Sequence, residues 1–371
     1  MKVLILTCST GEGHNSAAKA ISHALNIKGI KNDVFDPISL SSEKIRDGVA
    51  GAYNGMIRKT PWLFGFIYNV GGLYEKTRLP CPVDFLNRKY AKNLSDYIQE
   101  NGYDRVICTH LFPMFAMGEV NRRYKKVPSF CVLTDYTVIP FLSLTELDGY
   151  FVPTADQKKI LAKKGIDQEK IFVSGIPTDP DFEKDLDKTD AKIRLGLNPD
   201  LKYISLLSGG AGCGKIVKIC SLFSKKLPDG YAICVFYGKN QKLCKKLQKK
   251  FSSCNKIIPI GFTNQIAKYL KASEVALSKP GGLSSTEIAV SKTPFVHLKA
   301  IPGCESKNIK YFTENGLSLK GTSPKKAVEK TLFLINDKVK ADSIVENQSR
   351  TILSRASYHI IEKVLGVTND N

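Results

Sequence analysis

Residues 274–316 read EVALSKPGGLSSTEIAVSKTPFVHLKAIPGCESKNIKYFTENG. Glu274–Ser278 is a short, largely apolar run of strand length, and Pro280, Gly281 and Gly282 break it. Ser284, Ser285 and Thr286 are natural N-caps, and Glu287–Val290 continues as a helix. A glycine turn feeding a helix N-terminus presents backbone N–H groups and the positive end of the helix dipole, which is chemistry for a phosphate. Glu287 lies one turn inside, where a carboxylate is placed to meet a ribose hydroxyl pair. Ile301-Pro302-Gly303 makes a second turn beside Glu305 and Asn308. One glycine-rich turn is a weak signal. Spacing alone leaves both a phosphate site and a purely structural βαβ unit open.

The same grammar recurs along the chain. Lys2–Cys8 reads as a buried strand, then come Gly11-Glu12-Gly13-His14 and a helix to about Gly29. Ser16 stands where the dinucleotide fingerprint needs its third glycine, so that fingerprint is absent. His14 is expected at the loop-to-helix junction, with a structural and a functional role both open. Strands are predicted at 32–36, 105–108, 129–133, 149–152 and 171–174, with a helix running to Lys164. Thr109-His110-Leu111-Phe112-Pro113 and Thr134-Asp135-Tyr136 follow two of them. Open α/β sheets place their sites at strand C-termini, so His110 and Asp135 are candidates.

Residues 175–199 carry Pro177, Pro180, Pro199 and a charged run, and read as a hinge. The pattern then restarts with a strand at 203–207 and the loop Ser208-Gly209-Gly210-Ala211-Gly212-Cys213-Gly214-Lys215. Its spacing is that of a P-loop, but Ile216 replaces the Ser or Thr whose hydroxyl holds Mg²⁺, which argues against a nucleoside triphosphatase. Diphosphate binding still suits such a loop. Further strands are expected at 232–237 and 256–260, the latter followed by Gly261-Phe262-Thr263, and Ser349–Leu365 reads as one long closing helix. Alternating strands and helices argue two parallel, doubly wound α/β domains. The expected division is 1–175, a linker at 176–200, 201–345, and a C-terminal helix at 346–371 that crosses back to the first domain. The crevice between the domains is the expected site.

The 371 residues carry a net charge of +20. That excess points to an anionic partner such as phosphorylated substrates, a membrane surface or nucleic acid. The run Lys242–Lys250 equally fits the solvated face of a helix. Ten scattered cysteines contain no CxxC pair, which argues against a zinc site and for a reducing cytoplasm. The start at Met1–Leu6 goes directly into a strand, without the pattern of a signal peptide, and no apolar run reaches bilayer-spanning length. Residues 53–76 hold the only tryptophan, Trp62, with Phe64, Phe66 and Tyr68, flanked by Arg58 and Lys59. Rings beside cations suit a membrane interface, and ordinary core packing remains the other reading.

Taken together, the motifs resemble a known family. The chain is similar to GT-B glycosyltransferases of family 28, and within them to monogalactosyldiacylglycerol synthases and bacterial processive diacylglycerol β-glucosyltransferases. GEGHNSAA at Gly11–Ala18 resembles the family's Gly-x-Gly-His-x-x-Ala motif. THLFP at 109–113, TDY at 134–136, GIP at 175–177 and SGGAGCG at 208–214 follow in the family's order. The most specific match is SKPGGLSSTEIAVSKTPFV with IPGCESKN, similar to the donor-binding signature.

This resemblance implies two Rossmann-like domains facing across a cleft and a UDP-sugar, glucose or galactose, held by the C-terminal one. Gly281, Gly282 and Ser284, with Gly209, Gly210 and Gly212, would face the diphosphate, Gly13 meeting it from the other domain. Glu287 would hold the ribose, Gly261, Phe262 and Thr263 the uracil, and Glu305 and Asn308 the sugar side. His14 would act as general base on a lipid hydroxyl, with Asp135 orienting His14 or the acceptor. Arg58, Lys59, Trp62, Phe64, Phe66 and His110 would serve the acceptor and the membrane. The resemblance also implies direct displacement with inversion, no metal and no further cofactor. The protein would sit peripherally on the cytoplasmic face, with diacylglycerol and anionic lipids as partners. Cys304 departs from the family's usual glutamine, and the loop after TDY lacks the family's His and Trp. Three other readings stay open: a lipid-II-forming N-acetylglucosaminyltransferase of the same family, a sugar-nucleotide sensor, and a basic nucleic-acid-binding protein. No recognition helix or RNA-binding aromatic set supports the last.

Overall fold

A computed structural model describes residues 1–8, 12–40, 82–139, 141–208, 215–300 and 303–366. Two units emerge, Met1–Pro180 with Pro302–Cys304 and Arg355–Asn371, and Asp181–Ile301 with Glu305–Ser354.

Unit 1 is built on six parallel strands: β1 (Lys2–Leu6), β2 (Lys31–Phe35), β3 (Arg105–Cys108), β4 (Ser129–Val132), β5 (Gly149–Val152) and β6 (Ile171–Val173). They lie in the order β2-β1-β3-β4-β5-β6. β1 reads KVLIL with its last four residues buried, as a central parallel strand covered on both faces requires. Helix α1 (Glu12–Ile27) turns Ala17, Ala18, Ile21, Ala24 and Leu25 inward at helical spacing. The other helices here are α2 (Pro82–Glu100), α3 (Leu111–Arg123) and α4 (Ala155–Lys163).

Unit 2 repeats the plan with β7 (Lys202–Leu207), β8 (Tyr231–Gly238), β9 (Ile257–Gly261), β10 (Ser273–Ser278), β11 (Phe295–His297) and β12 (Leu319–Lys320), all parallel. Their order is β12-β11-β10-β7-β8-β9. Counted within the unit this is the 3-2-1-4-5-6 order of dinucleotide-type sheets. Its helices are α5 (Lys188–Arg194), α6 (Ile216–Lys226), α7 (Gln241–Phe251), α8 (Ile266–Lys271), α9 (Gly282–Val290), α10 (Cys304–Glu314), α11 (Pro324–Asn336) and α12 (Lys338–Thr351).

Three details differ from the sequence reading. The stretch read as a linker is folded, for α5 lies inside it, N-capped by Asp187, whose carboxylate accepts from Thr189 N and Asp190 N. The closing helix is two helices: α12 ends at Thr351, and α13 (Ala356–Leu365) restarts after Arg355, whose φ of 57° no helix interior admits. Ile360, Ile361 and Val364 of α13 then pack with Ile21 and Leu25 of α1 in the unit 1 core. The two-residue strand β12 is too short to show a period in the sequence.

Cys108, Cys131 and Cys234 are fully buried in their strands, and burial pushes the Cys234 thiol up to about 12, so they act as small hydrophobes. Among the described residues no helix is long and apolar enough to cross a membrane.

Candidate active site

The sheet order of unit 1 reverses direction between β1 and β3. A ligand crevice opens at such a point, beyond the strands' C-terminal ends. The residues that follow these strands include His14 on one side and Thr109 and His110 on the other. α1 begins at Glu12, so His14 is the third helical residue and not a loop residue. Its Nδ1 lies 2.8 Å from the Thr109 carbonyl oxygen and 3.0 Å from Thr134 Oγ1. A carbonyl only accepts, so the neutral ring carries its proton on Nδ1 and its lone pair on Nε2. The Thr109 hydroxyl donates in turn to the His14 carbonyl at 3.1 Å, closing a reciprocal clamp between α1 and the end of β3.

Electrostatics agree with that assignment. Burial lowers the His14 pKa from its ordinary value, while the Asp135 carboxylate and the Thr109 carbonyl pull it back up. His14 is therefore neutral at pH 7, with an acid partner ready for the imidazolium. The Asp135 backbone carbonyl is fixed by Gln157 Nε2 at 2.9 Å. His110, expected on the acceptor side, packs beside His14. It is only 5% exposed, N-caps α3 by accepting from Phe112 N, and sets its ring edge-on to His14 at 4.6 Å. Burial, then the neighbouring His14, hold its pKa well below the ordinary value. Neither Thr109 nor Thr134 stood out as a partner of His14 in the sequence, because the contacts span 95 and 120 residues.

In unit 2 the order reverses between β7 and β10. Gly281 is the N-cap of α9, with φ −73° and ψ 141° and no side-chain cap. The helix starts at Gly282, so Ser284, Ser285 and Thr286 lie inside its first turns and are not caps. Two of them have other partners: Thr286 Oγ1 donates to the Gly282 carbonyl at 2.8 Å, and Ser285 Oγ bonds His297 Nε2 at 2.8 Å. Ser284 and Glu287, three residues apart, are the half-exposed pair on this turn, while Ser285, Thr286, Ile288 and Ala289 are buried. Gly281 N donates to the Lys279 carbonyl at 2.9 Å, and a hydroxyl and a carboxylate share one side of the helix start that follows.

A Cβ added at Gly281 would meet only the Lys279 side chain, at 3.8 Å, so the protein itself leaves the space over this turn empty. Gly303, before α10, has φ 117° and there only glycine is unstrained. Glu305 Oε1 lies 3.7 Å from Lys279 Nζ.

Asn308, expected to touch the donor, is fully buried and donates through Nδ2 to the Pro280 carbonyl at 3.0 Å. Its amide shapes the glycine turn from behind. Asn308→Ala leaves that carbonyl without its donor, and an expected loss of about 1–3 kcal/mol accompanies such a buried orphan. Thermal unfolding checks this, with a falling Tm expected and an unchanged Tm contradicting it.

At the end of β9, Gly261 is followed by Phe262, 69% exposed, with Lys239 Nζ 5.1 Å from the ring centre. An exposed ring suits a stacked base. Thr263 Oγ1 accepts from Gln265 N at 3.0 Å. Gly209, Gly210 and Gly212, and Arg58, Lys59, Trp62, Phe64 and Phe66, lie outside the described residues. A cavity of about 670 Å³ also exists in unit 2. Its lining includes Lys202, Tyr231 and Ser273, the N-terminal ends of β7, β8 and β10, and so it opens at the edge opposite these loops.

Behind the turn, His297 is fully buried between Ser285 Oγ and Ser318 Oγ, the latter 2.9 Å from Nδ1. Burial lowers its pKa to about 3. The folded ring stays neutral while the unfolded chain binds a proton below the ordinary 6.5. Stability is therefore lost as pH falls from 6.5 towards 3, at about 1.4 kcal/mol per pH unit for this residue. His14 and His110 act with the same sign. Urea midpoints at pH 7 and pH 5 check it, a lower midpoint at pH 5 being expected and equal midpoints contradicting it.

Two six-stranded parallel sheets of these orders make a GT-B fold. The solved Staphylococcus aureus MnaA–UDP structure aligns with TM-score 0.64 at 16% identity, over 100% of this chain and 99% of that one. Acinetobacter baumannii MurG aligns with TM-score 0.61 at 14% identity, over 98% and 99%. At these identities the likeness is one of fold. Residues 14–178 match the monogalactosyldiacylglycerol (MGDG) synthase family. Processive diacylglycerol β-glucosyltransferases of Bacillus pumilus and Bacillus cereus (strain B4264) are 27% and 29% identical. Each alignment covers 98% of this chain, with 94% and 93% of the relatives. The chain is thus similar to these glycosyltransferases over nearly its whole length, the resemblance its motifs led one to expect.

Proposed function

We propose that this protein is an inverting glycosyltransferase that moves glucose or galactose from a UDP-sugar to diacylglycerol. The observation that carries the reading is His14: its Nδ1 proton is committed to the Thr109 carbonyl, so Nε2 faces the chemistry as a base. The acceptor hydroxyl gives its proton to Nε2, and its oxygen attacks the anomeric carbon from the face opposite UDP. The bond from that carbon to the β-phosphate oxygen breaks, and UDP leaves. Asp135 stabilises the imidazolium that forms. A general base of this kind is effective when its pKa lies near or below the working pH.

Donor binding falls to unit 2. The glycine turn and the N-terminal end of α9, with its dipole, meet the diphosphate and take up the charge that develops on the leaving group. Ser284 adds a hydroxyl, Glu287 holds the ribose, Glu305 lies on the sugar side, and Phe262 stacks on uracil. The 209–214 loop completes the phosphate contacts. The aromatic and basic stretch that includes Trp62 docks on the cytoplasmic face of the membrane, where anionic lipid attracts Lys and Arg. What supports the lipid acceptor is the family match together with the names of the Bacillus relatives.

Incubation with diacylglycerol vesicles or with the polyprenyl-linked muramyl acceptor, each with labelled UDP-sugars, tests this. Label in hexosyl-diacylglycerol is expected. Label confined to the muramyl acceptor, or in neither, contradicts the acceptor assigned here.

A further inference from the structure

Lys215 closes the loop whose spacing is that of a P-loop, and the donor assignment gives it no part. In the structure it lines a cavity of about 350 Å³ between the N-terminal ends of α6 and α7, with Lys218, Lys242 and Lys246. The remaining four lining residues are Ile216, Val217, Asn240 and Leu243, so the wall holds four lysines and no acid. Ile216 and Leu243 are buried and form its floor, while the ammonium groups stand on exposed residues around it.

Other lysines of this unit find carboxylates: Lys188 meets Glu274 at 2.7 Å, Lys256 meets Asp229 at 2.8 Å and Lys326 meets Glu329 at 3.2 Å. None of the four cavity lysines makes an ion pair within the described residues. The sequence explains why. Residues 215–250 hold ten lysines against one acid, Asp229, which Lys256 already engages. Four like charges around one cavity repel each other, and a bound anion relieves that repulsion. The helix run read as a solvated lysine face is, on its N-terminal half, a wall of this cavity.

We propose that this cavity is a second anion site that takes a phosphate-bearing group, separate from the turn at Pro280–Gly282. The lysine ammoniums suit phosphate as strongly hydrated point charges with several donors each. Placement keeps the two sites apart. The cavity follows β7 and β8, the glycine turn follows β10, and β7 lies between β8 and β10 in the sheet. The phosphate comes from a phospholipid headgroup or from a soluble phosphate compound, and the chemistry is shared.

The test keeps the donor site saturated with UDP and uses two probes. One is inorganic phosphate against chloride at matched ionic strength. The other is phosphatidylcholine vesicles with and without phosphatidylglycerol. For K218Q/K242Q/K246Q, at about a fivefold loss per lysine near an anionic surface, an overall loss of about 100-fold is expected. UDP affinity and Tm are expected to match wild type, which separates this result from any failure of the donor assignment. Loss in the vesicle arm names the headgroup as source, and loss in the phosphate arm a soluble phosphate. Equal binding by variant and wild type in both arms overturns the proposal. So does a parallel loss of UDP affinity, which would make the cavity part of the donor site.

Discussion

Replacing His14 with alanine is expected to lower kcat by about 10²- to 10⁴-fold while the Kd for UDP stays within about twofold of wild type. The first number is the usual contribution of a positioned base. The second follows from location. His14 is anchored within unit 1 by Thr109 and Thr134, whereas the turn assigned to UDP lies in unit 2. Turnover and UDP titration are measured on the same preparation. If UDP affinity collapses together with kcat, His14 belongs to the donor site and the base assignment fails. The same assignment fixes a pH dependence. A base acts only when unprotonated, and burial has moved the His14 pKa below its ordinary value. The acid limb of kcat/KM is therefore expected below pH 6.5, falling tenfold per pH unit there. A limb centred above 6.5 would contradict the environment described for this ring.

The second large effect is expected at Gly281. With φ −73° this residue needs no glycine for its backbone, and a Cβ would touch only Lys279 at 3.8 Å. Gly281→Ala should therefore fold, at a cost of about 1 kcal/mol for a poorer N-cap. Its methyl would occupy the space where the diphosphate approaches the α9 amides. A donor displaced by about 1 Å loses on the order of 100-fold in kcat/KM. Thermal unfolding beside donor titration separates the two effects. Near-normal Tm with weakened UDP binding is expected, and full UDP affinity in this variant would remove the diphosphate from the glycine turn.

Much of this was legible in the chain because strands, glycine turns and helices are local. Glu274–Ser278 followed by Pro280-Gly281-Gly282 marked β10 and the start of α9, and GEGH marked the start of α1. Periodicity of this kind fixes a parallel α/β plan whatever the long-range contacts are. Two things were not legible, for physical reasons. Helix starts were placed late, since Ser284–Thr286 look like caps to a local rule, yet tertiary and intrahelical partners take up Ser285 and Thr286. The partners of His14 and the turn-holding amide of Asn308 come from elements far along the chain. No spacing rule connects them. Asn308 in particular reads as a ligand contact in the motif IPGCESKN, and its hold on the Pro280 carbonyl, 28 residues away, shows only in the structure.

Stereochemistry offers the most direct measurement of the central claim, that one displacement assisted by His14 joins hexose to diacylglycerol. Proton NMR of the lipid product formed from a UDP-α-hexose reports the anomeric configuration through its coupling constant. The account predicts a β-linked hexosyl-diacylglycerol in wild type and its absence in His14→Ala. An α-linked product, or undiminished product in the variant, would contradict it.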